Sequence, residues 1–122
     1  MIMYELTPKE EEVMELIWRL GTCTPKDVQA LYTKPIPNIN TIATSFQSLE
    51  RKGYLTHEKR GRGYAYTPAI EKKDYGESKF EHFIERFFDG SFKKIVSSFI
   101  KREKISREEL LCLLDELESK KE

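Results

Sequence analysis

Asn38-Ile39-Asn40-Thr41-Ile42-Ala43-Thr44-Ser45-Phe46-Gln47-Ser48-Leu49-Glu50-Arg51-Lys52-Gly53 is the stretch on which the fold turns. Ile39, Ile42, Phe46 and Leu49 recur at i, i+3, i+7 and i+10, which places them on one apolar face of a helix. Asn38 suits the cap before that helix and Gly53 its stop. With those four residues inward, Asn40, Thr41, Ala43, Thr44, Ser45, Gln47 and Ser48 include the outward set. A merely solvated helix favours Glu and Lys there, since Ser, Thr and Asn are poorer helix formers. Short amides and hydroxyls instead suit a helix lying close against base edges and phosphates in a major groove.

Working outward, Tyr54–Arg60 reads as a strand, Gly61-Arg62-Gly63 as a turn and Tyr64–Thr67 as the returning strand, closed by Pro68. On the other side, Thr7-Pro8-Lys9-Glu10 has the form of a capping box with proline at the first helical position. Val13, Leu16, Ile17 and Leu20 follow on one face, and Gly21 stops the helix. Thr24-Pro25-Lys26-Asp27 repeats the start signal, with Val28 and Leu31 marking a short second helix before Pro35 and Pro37. Three helices followed by a hairpin with arginine at its turn predict a winged helix-turn-helix over 1–70, the third helix being the recognition helix. Arg51, Lys52, Arg60 and Arg62 are the candidate phosphate contacts.

Charge supports this placement only locally. The 122 residues carry 21 Lys+Arg and 21 Asp+Glu, so the chain lacks the overall basic excess common in nucleic-acid binders. Yet residues 1–33 are net −3, residues 34–62 net +4 and residues 63–122 net −1. Fields are screened within about 10 Å at moderate salt, so the basic block matters more than the zero total.

Aromatic usage changes along the chain. All six Tyr lie at or before Tyr75, and six of the seven Phe lie between Phe80 and Phe99. Glu71 to Ser78 reads as a polar joint, giving a second unit over 77–122. There Phe80, Phe83, Ile84, Phe87 and Phe88 form one helical face. Phe92, Ile95, Val96, Phe99 and Ile100 form a second, and Leu110, Leu111, Leu113, Leu114 and Leu117 a third, entered through a Ser106–Glu109 capping box. Such a short segment is near the lower limit for folding alone. Its apolar faces could pack on the first unit, but their width is better matched by a second copy of the chain. The predicted fold class is therefore mainly α with a small β-hairpin wing, a winged helix-turn-helix followed by a three-helix dimerisation unit. Phe80, Phe83, Phe87, Phe88, Ile95, Phe99, Leu110, Leu114 and Leu117 are the predicted interface. A twofold protein matches a twofold DNA site.

An ordered set of motifs resembles one bacterial family over nearly the whole chain. It comprises Leu6-Thr7 with Glu11, Val13-Met14 and Leu16-Ile17-Trp18; Thr41-Ile42 with Thr44; Leu49 with Lys52-Gly53 and Leu55; Tyr64, Tyr66 and Pro68; Phe83 with Phe87-Phe88-Asp89-Gly90-Ser91; and Ile105-Ser106 with Glu108-Glu109. Together they resemble the penicillinase and methicillin-resistance repressors, a group that includes copper-responsive repressors. The resemblance implies a homodimeric repressor on palindromic double-stranded operator DNA, with Asn38, Asn40, Thr41 and Thr44 at the bases. It also implies a membrane sensor metalloprotease as partner, cutting at the bond matching Ser98-Phe99. The chain has Ala43 where the family commonly has arginine, Asn40 where it often has a basic residue, and Ser98 where it has asparagine. The first two bear on the operator sequence, because arginine to guanine is the commonest specific base contact. The copper branch has paired C-terminal cysteines, whereas this chain has Cys112 there.

Other chemistry finds little footing. His57 and His82 have no spaced partners for a metal, and Cys23 and Cys112 cannot build a disulfide framework. Gly61-Arg62-Gly63 is too short for a nucleotide loop. No enzyme, metal or cofactor is expected. No run of about 18 apolar residues suggests a membrane span, no basic-then-apolar opening suggests secretion, and a reducing cytoplasm is the expected compartment. The competing reading is a winged-helix protein-interaction module without sequence-specific DNA binding. Ala43 is its best support, since fold does not fix function.

Overall fold

The computed structural model describes residues 5–120. The opening residues bearing on secretion, and the outer ends of both predicted units, lie outside that range. The order is α1 (Pro8–Leu20), α2 (Pro25–Gln29), α3 (Ile39–Arg51), β1 (Leu55–Arg60), β2 (Gly63–Pro68), α4 (Lys72–Phe88), α5 (Phe92–Lys101) and α6 (Arg107–Lys120). Two compact units result, Met1–Ser78 and Lys79–Glu122.

In unit 1, α1 starts because Thr7 Oγ1 accepts from the Glu10 N–H at 3.1 Å while Glu10 Oε1 accepts from the Thr7 N–H at 2.8 Å. Thr24 and Asp27 repeat the exchange for α2. The Asn38 side chain accepts from the Asn40 N–H at 2.8 Å and caps α3. These reciprocal bonds satisfy amides that a helix start leaves without intrahelical partners. The three helices bury Val13, Met14, Ile17, Val28, Ile42, Phe46 and Leu49, joined by Tyr54. Burying each large apolar side chain contributes about 1.5–3 kcal/mol, so this cluster fixes α3 firmly in place.

The hairpin is antiparallel, pairing Leu55 with Pro68, His57 with Tyr66 and Arg60 with Gly63. Residues directly opposite share a face. Leu55, His57, Tyr66 and Tyr64 thus share one face, on which Leu55 is buried and the Tyr66 ring meets Phe46 edge-on at 5.0 Å. Gly61, at φ +61°, opens the two-residue loop, where a two-residue hairpin takes glycine.

An isolated antiparallel bridge lies beside the two-stranded hairpin. Cys23 exchanges both backbone hydrogen bonds with Tyr66, at 2.9 and 2.8 Å. Cys23 is buried, and burial with the nearby Asp27 charge pushes its thiol up to about 11. It is therefore a structural residue held as the neutral thiol.

The polar joint over 71–78 ends where the two units divide, and it is largely helical. From Lys72 it is the opening of α4, and Tyr75 anchors it. The Tyr75 ring lies 5.6 Å from both Trp18 and Tyr54, and its hydroxyl donates to Glu11 Oε2 at 2.5 Å. Trp18 Nε1 donates to the Ile70 carbonyl at 2.8 Å. Polar composition suggested a linker; the aromatic contact and good helix formers on either side of Gly76 make it helix.

In unit 2, the Ser106–Glu109 capping box is present, with both bonds at 3.1 Å. Ile84 and Ile95 are buried. Ile95, predicted for the interface between copies, is thus already covered within its own chain. Phe80, Phe83, Phe87 and Phe99 are 39–61% exposed, Leu114 and Leu117 just over half, while Phe88 and Leu110 are half-buried. Among the described residues of α6 none is buried.

Candidate nucleic-acid interface

The outward face of α3 is narrower than its composition suggested. Asn40, Thr44, Gln47 and Arg51 are exposed and fall at i, i+4, i+7 and i+11, one continuous stripe. Thr41 and Ala43 flank it, half-buried. Ser45 is buried and its hydroxyl donates to the Thr41 carbonyl at 3.3 Å. Ser48 turns away and donates to Glu10 Oε2. Both serines are therefore structural, because α3 packs on α1 over a wider arc than its apolar residues alone occupy.

Each stripe residue keeps defined hydrogen-bonding capacity. The Thr44 hydroxyl donates to the Asn40 carbonyl at 2.8 Å, leaving oxygen lone pairs to accept from a base amino group and a methyl to meet thymine. Asn38 is exposed and uses its side-chain oxygen as a cap, leaving its NH2 to donate outward. Asn40 and Gln47 carry amides able to bond adenine bidentately. Gln47 was not among the predicted base contacts. Its spacing of three from Thr44 and seven from Asn40 is the signal that marks it.

The four predicted phosphate contacts separate. Arg51 and Arg62 are exposed, at the end of α3 and at the tip of the hairpin. Arg60 is exposed beside Glu58, with Nη2 3.9 Å from its carboxylate, too loose to hold it. Lys52 departs from the expectation. Its ammonium donates to Glu10 Oε1 at 2.6 Å and to the Glu5 carbonyl at 3.1 Å, tying the end of α3 to the start of α1. Burial would raise the Glu10 carboxyl, but the hydrogen bonds from Lys52, Ser48 and Thr7 outweigh it and hold the group at about 2. Lys52 is a fold residue because an opposed, buried carboxylate claims it. Lys59, exposed on the same hairpin face as His57 and Tyr64, belongs to the basic 34–62 block but was not among the predicted phosphate contacts.

His57, without spaced metal partners in the sequence, bridges two elements. Its Nδ1 shares a hydrogen bond with Glu50 near the end of α3. Its ring lies 4.9 Å from Tyr64 and 5.7 Å from Tyr66. Among the described residues no group of three or more His, Cys, Asp or Glu could hold a metal, and no helix is long and apolar enough to cross a membrane.

Residues 6–119 match the family described as Penicillinase repressor. The chain is 34% identical to the penicillinase repressor of Bacillus licheniformis over 118 residues, covering 96% of this chain and 92% of that protein. It is 25% identical to the methicillin resistance regulatory protein MecI of Staphylococcus aureus over 108 residues, 88% of each. The solution structure of the B. licheniformis BlaI monomer in complex with the blaP half-operator superposes with a TM-score of 0.50 at 33% identity. It spans 61% of this chain and 92% of that one. The DNA-binding domain of the repressor BlaI gives 0.53 over the same shares. With a winged helix-turn-helix in place and a match running almost end to end, the chain belongs to the penicillinase repressor family, a family of transcriptional repressors and not of enzymes.

Proposed function

We propose that this protein is a transcriptional repressor that reads operator DNA with the Asn40–Thr44–Gln47–Arg51 stripe of α3 and grips the backbone with the wing. The observation that carries the reading is that stripe: exposed amides and a hydroxyl on a helix whose other faces are fixed by packing and capping. Asn38 and Thr41 flank it at the helix start, and Arg51, Arg60, Arg62 and Lys59 supply charge for phosphates. The solved relative in complex with a half-operator supports the same use of this domain.

The reading extends to a homodimer on a palindromic site, formed through the exposed faces of α4, α5 and α6. It extends also to release by a membrane sensor metalloprotease at Ser98–Phe99. That bond lies inside α5, so a protease would need the helix to open locally. Acting on chromosomal DNA, the protein would work in the cytoplasm.

Fluorescence anisotropy with a duplex from the promoter of the protein's own gene, at several salt concentrations, tests DNA binding. Affinity should fall with salt, the logarithmic slope being about −0.9 per phosphate neutralised. Arg62→Ala should reduce that slope by about 1 and weaken all sequences alike. Gln47→Ala and Thr44→Ala should cost about 1–3 kcal/mol on the operator and shift base preference at one position. Equal loss on every duplex for all three variants would refute the assignment.

A further inference from the structure

The recognition helix and the wing reach DNA as separate segments, so their mutual angle decides whether both engage at once. Phe46 and Tyr66 fix the apolar side of that angle. On the polar side, His57 of β1 meets Glu50 of α3, within one residue of Arg51 in the stripe. The groups around the imidazole are Glu50 from α3, Tyr66 and Tyr64 from β2, and Lys59 two residues along the same face of β1; Glu58 and Arg60 lie on the opposite face. Both members of the pair are partly exposed, so protons from solvent reach them.

We propose that His57 is a positioning residue for operator binding: charged, it holds Glu50 and locks the wing to the end of the recognition helix, which makes operator affinity depend on proton uptake. This rests on the DNA-binding reading above. Two effects act in the same direction. The charged imidazolium binds the Glu50 carboxylate more strongly than the neutral ring does, so the wing angle is better defined. It also neutralises an acid that otherwise sits beside the phosphate-contacting end of α3. Histidine changes charge between about pH 5 and 8, so the affinity gained should be present at the acid end and lost as pH rises. Burial raises the Tyr66 hydroxyl further, so that ring stays neutral there.

Operator affinity of the full chain, measured by anisotropy at constant ionic strength from about pH 6 to about pH 8, tests this. Wild type should bind about 3- to 5-fold more weakly at the upper end, the size expected of a partly exposed ion pair. His57→Gln and Glu50→Gln should each flatten the profile, while His82→Gln should keep it. Glu50→Gln carries the test even if His57→Gln impairs folding, since it removes the charge from a partly exposed residue near a helix end and keeps the side chain's shape. A profile unchanged in Glu50→Gln overturns the proposal. A slope lost in His57→Gln but kept in Glu50→Gln also overturns it, assigning His57 to direct phosphate contact. Absence of binding to any duplex at any pH would instead defeat the DNA-binding reading itself.

Discussion

Glu10→Gln should destabilise unit 1 by about 2–4 kcal/mol, because it removes the buried charge on which the half-buried Lys52 ammonium depends. Glu10 is 6% exposed and accepts from Thr7, Ser48 and Lys52. Glutamine keeps one acceptor oxygen but presents an NH2 where Lys52 or Ser48 needs a partner. For a domain of this size the melting temperature should drop by roughly 10–20 °C, read by circular dichroism at neutral pH. A change of only a degree or two would show that the pair is dispensable. Acid should act through the same group. Its carboxyl sits at about 2 in the folded chain against an ordinary 4.5, a lowered value. The stabilisation is thus fully present above the ordinary value and lost as pH falls from about 4.5 towards 2, about 3 kcal/mol in all. Melts of wild type and Glu10→Gln across that window should converge as the pH falls. Lys52→Met should cost stability first and operator affinity only through it.

The second large effect concerns the exposed apolar faces of unit 2. Phe87→Glu combined with Leu114→Glu places two charges among residues that are 61% and 53% exposed in the isolated chain. If a second copy covers these faces, the double variant should sediment as one 14.4 kDa chain while wild type sediments at twice that mass. Operator affinity should fall by about 10²- to 10⁴-fold, since two linked half-site contacts become independent events. A double variant that still sediments at twice that mass would reject these faces as the interface, and wild type at 14.4 kDa, or unchanged affinity of a monomeric variant, would reject the homodimer as the binding form.

Much of the fold is local and therefore legible in sequence. The Thr7–Glu10, Thr24–Asp27 and Ser106–Glu109 boxes each lie within four residues, and each forms as read. The apolar spacing of α3 identified its buried face, and the Gly61-Arg62 loop located the wing. What escaped depends on distant partners. Lys52 resembles any surface lysine until α1 brings Glu10 beside it, and Ser48 resembles an outward hydroxyl for the same reason. Cys23 gave no strand signal because its ladder is two hydrogen bonds to a residue far along the chain. The polar run from Glu71 looked like a joint because Tyr75 reveals its docking only once Trp18 and Tyr54 are placed. His57 acquired a partner through the hairpin register, which sequence fixes, and through the orientation of α3, which it does not.

The candidate site follows the same division. Asn40 and Thr44 were identifiable from periodicity and Arg51 from its charge at the helix end, whereas the loss of Ser45, Ser48 and Lys52 from the exposed face required the packing of α3 on α1. What remains exposed is a sharper surface than composition implied. A neutral chain can thus present a localised set of exposed amides, a hydroxyl and cations while Glu10, Asp27 and Glu109 are engaged in caps and in the α1–α3 tie.

The most direct measurement of the central claim is selection of bound duplexes from a random library by the full-length chain, followed by sequencing. The expected result is one enriched twofold-symmetric motif, with half-sites separated by a whole number of helical turns. An unenriched pool would contradict DNA reading by α3 and the wing, and enrichment of a single asymmetric site would contradict its use as a twofold pair.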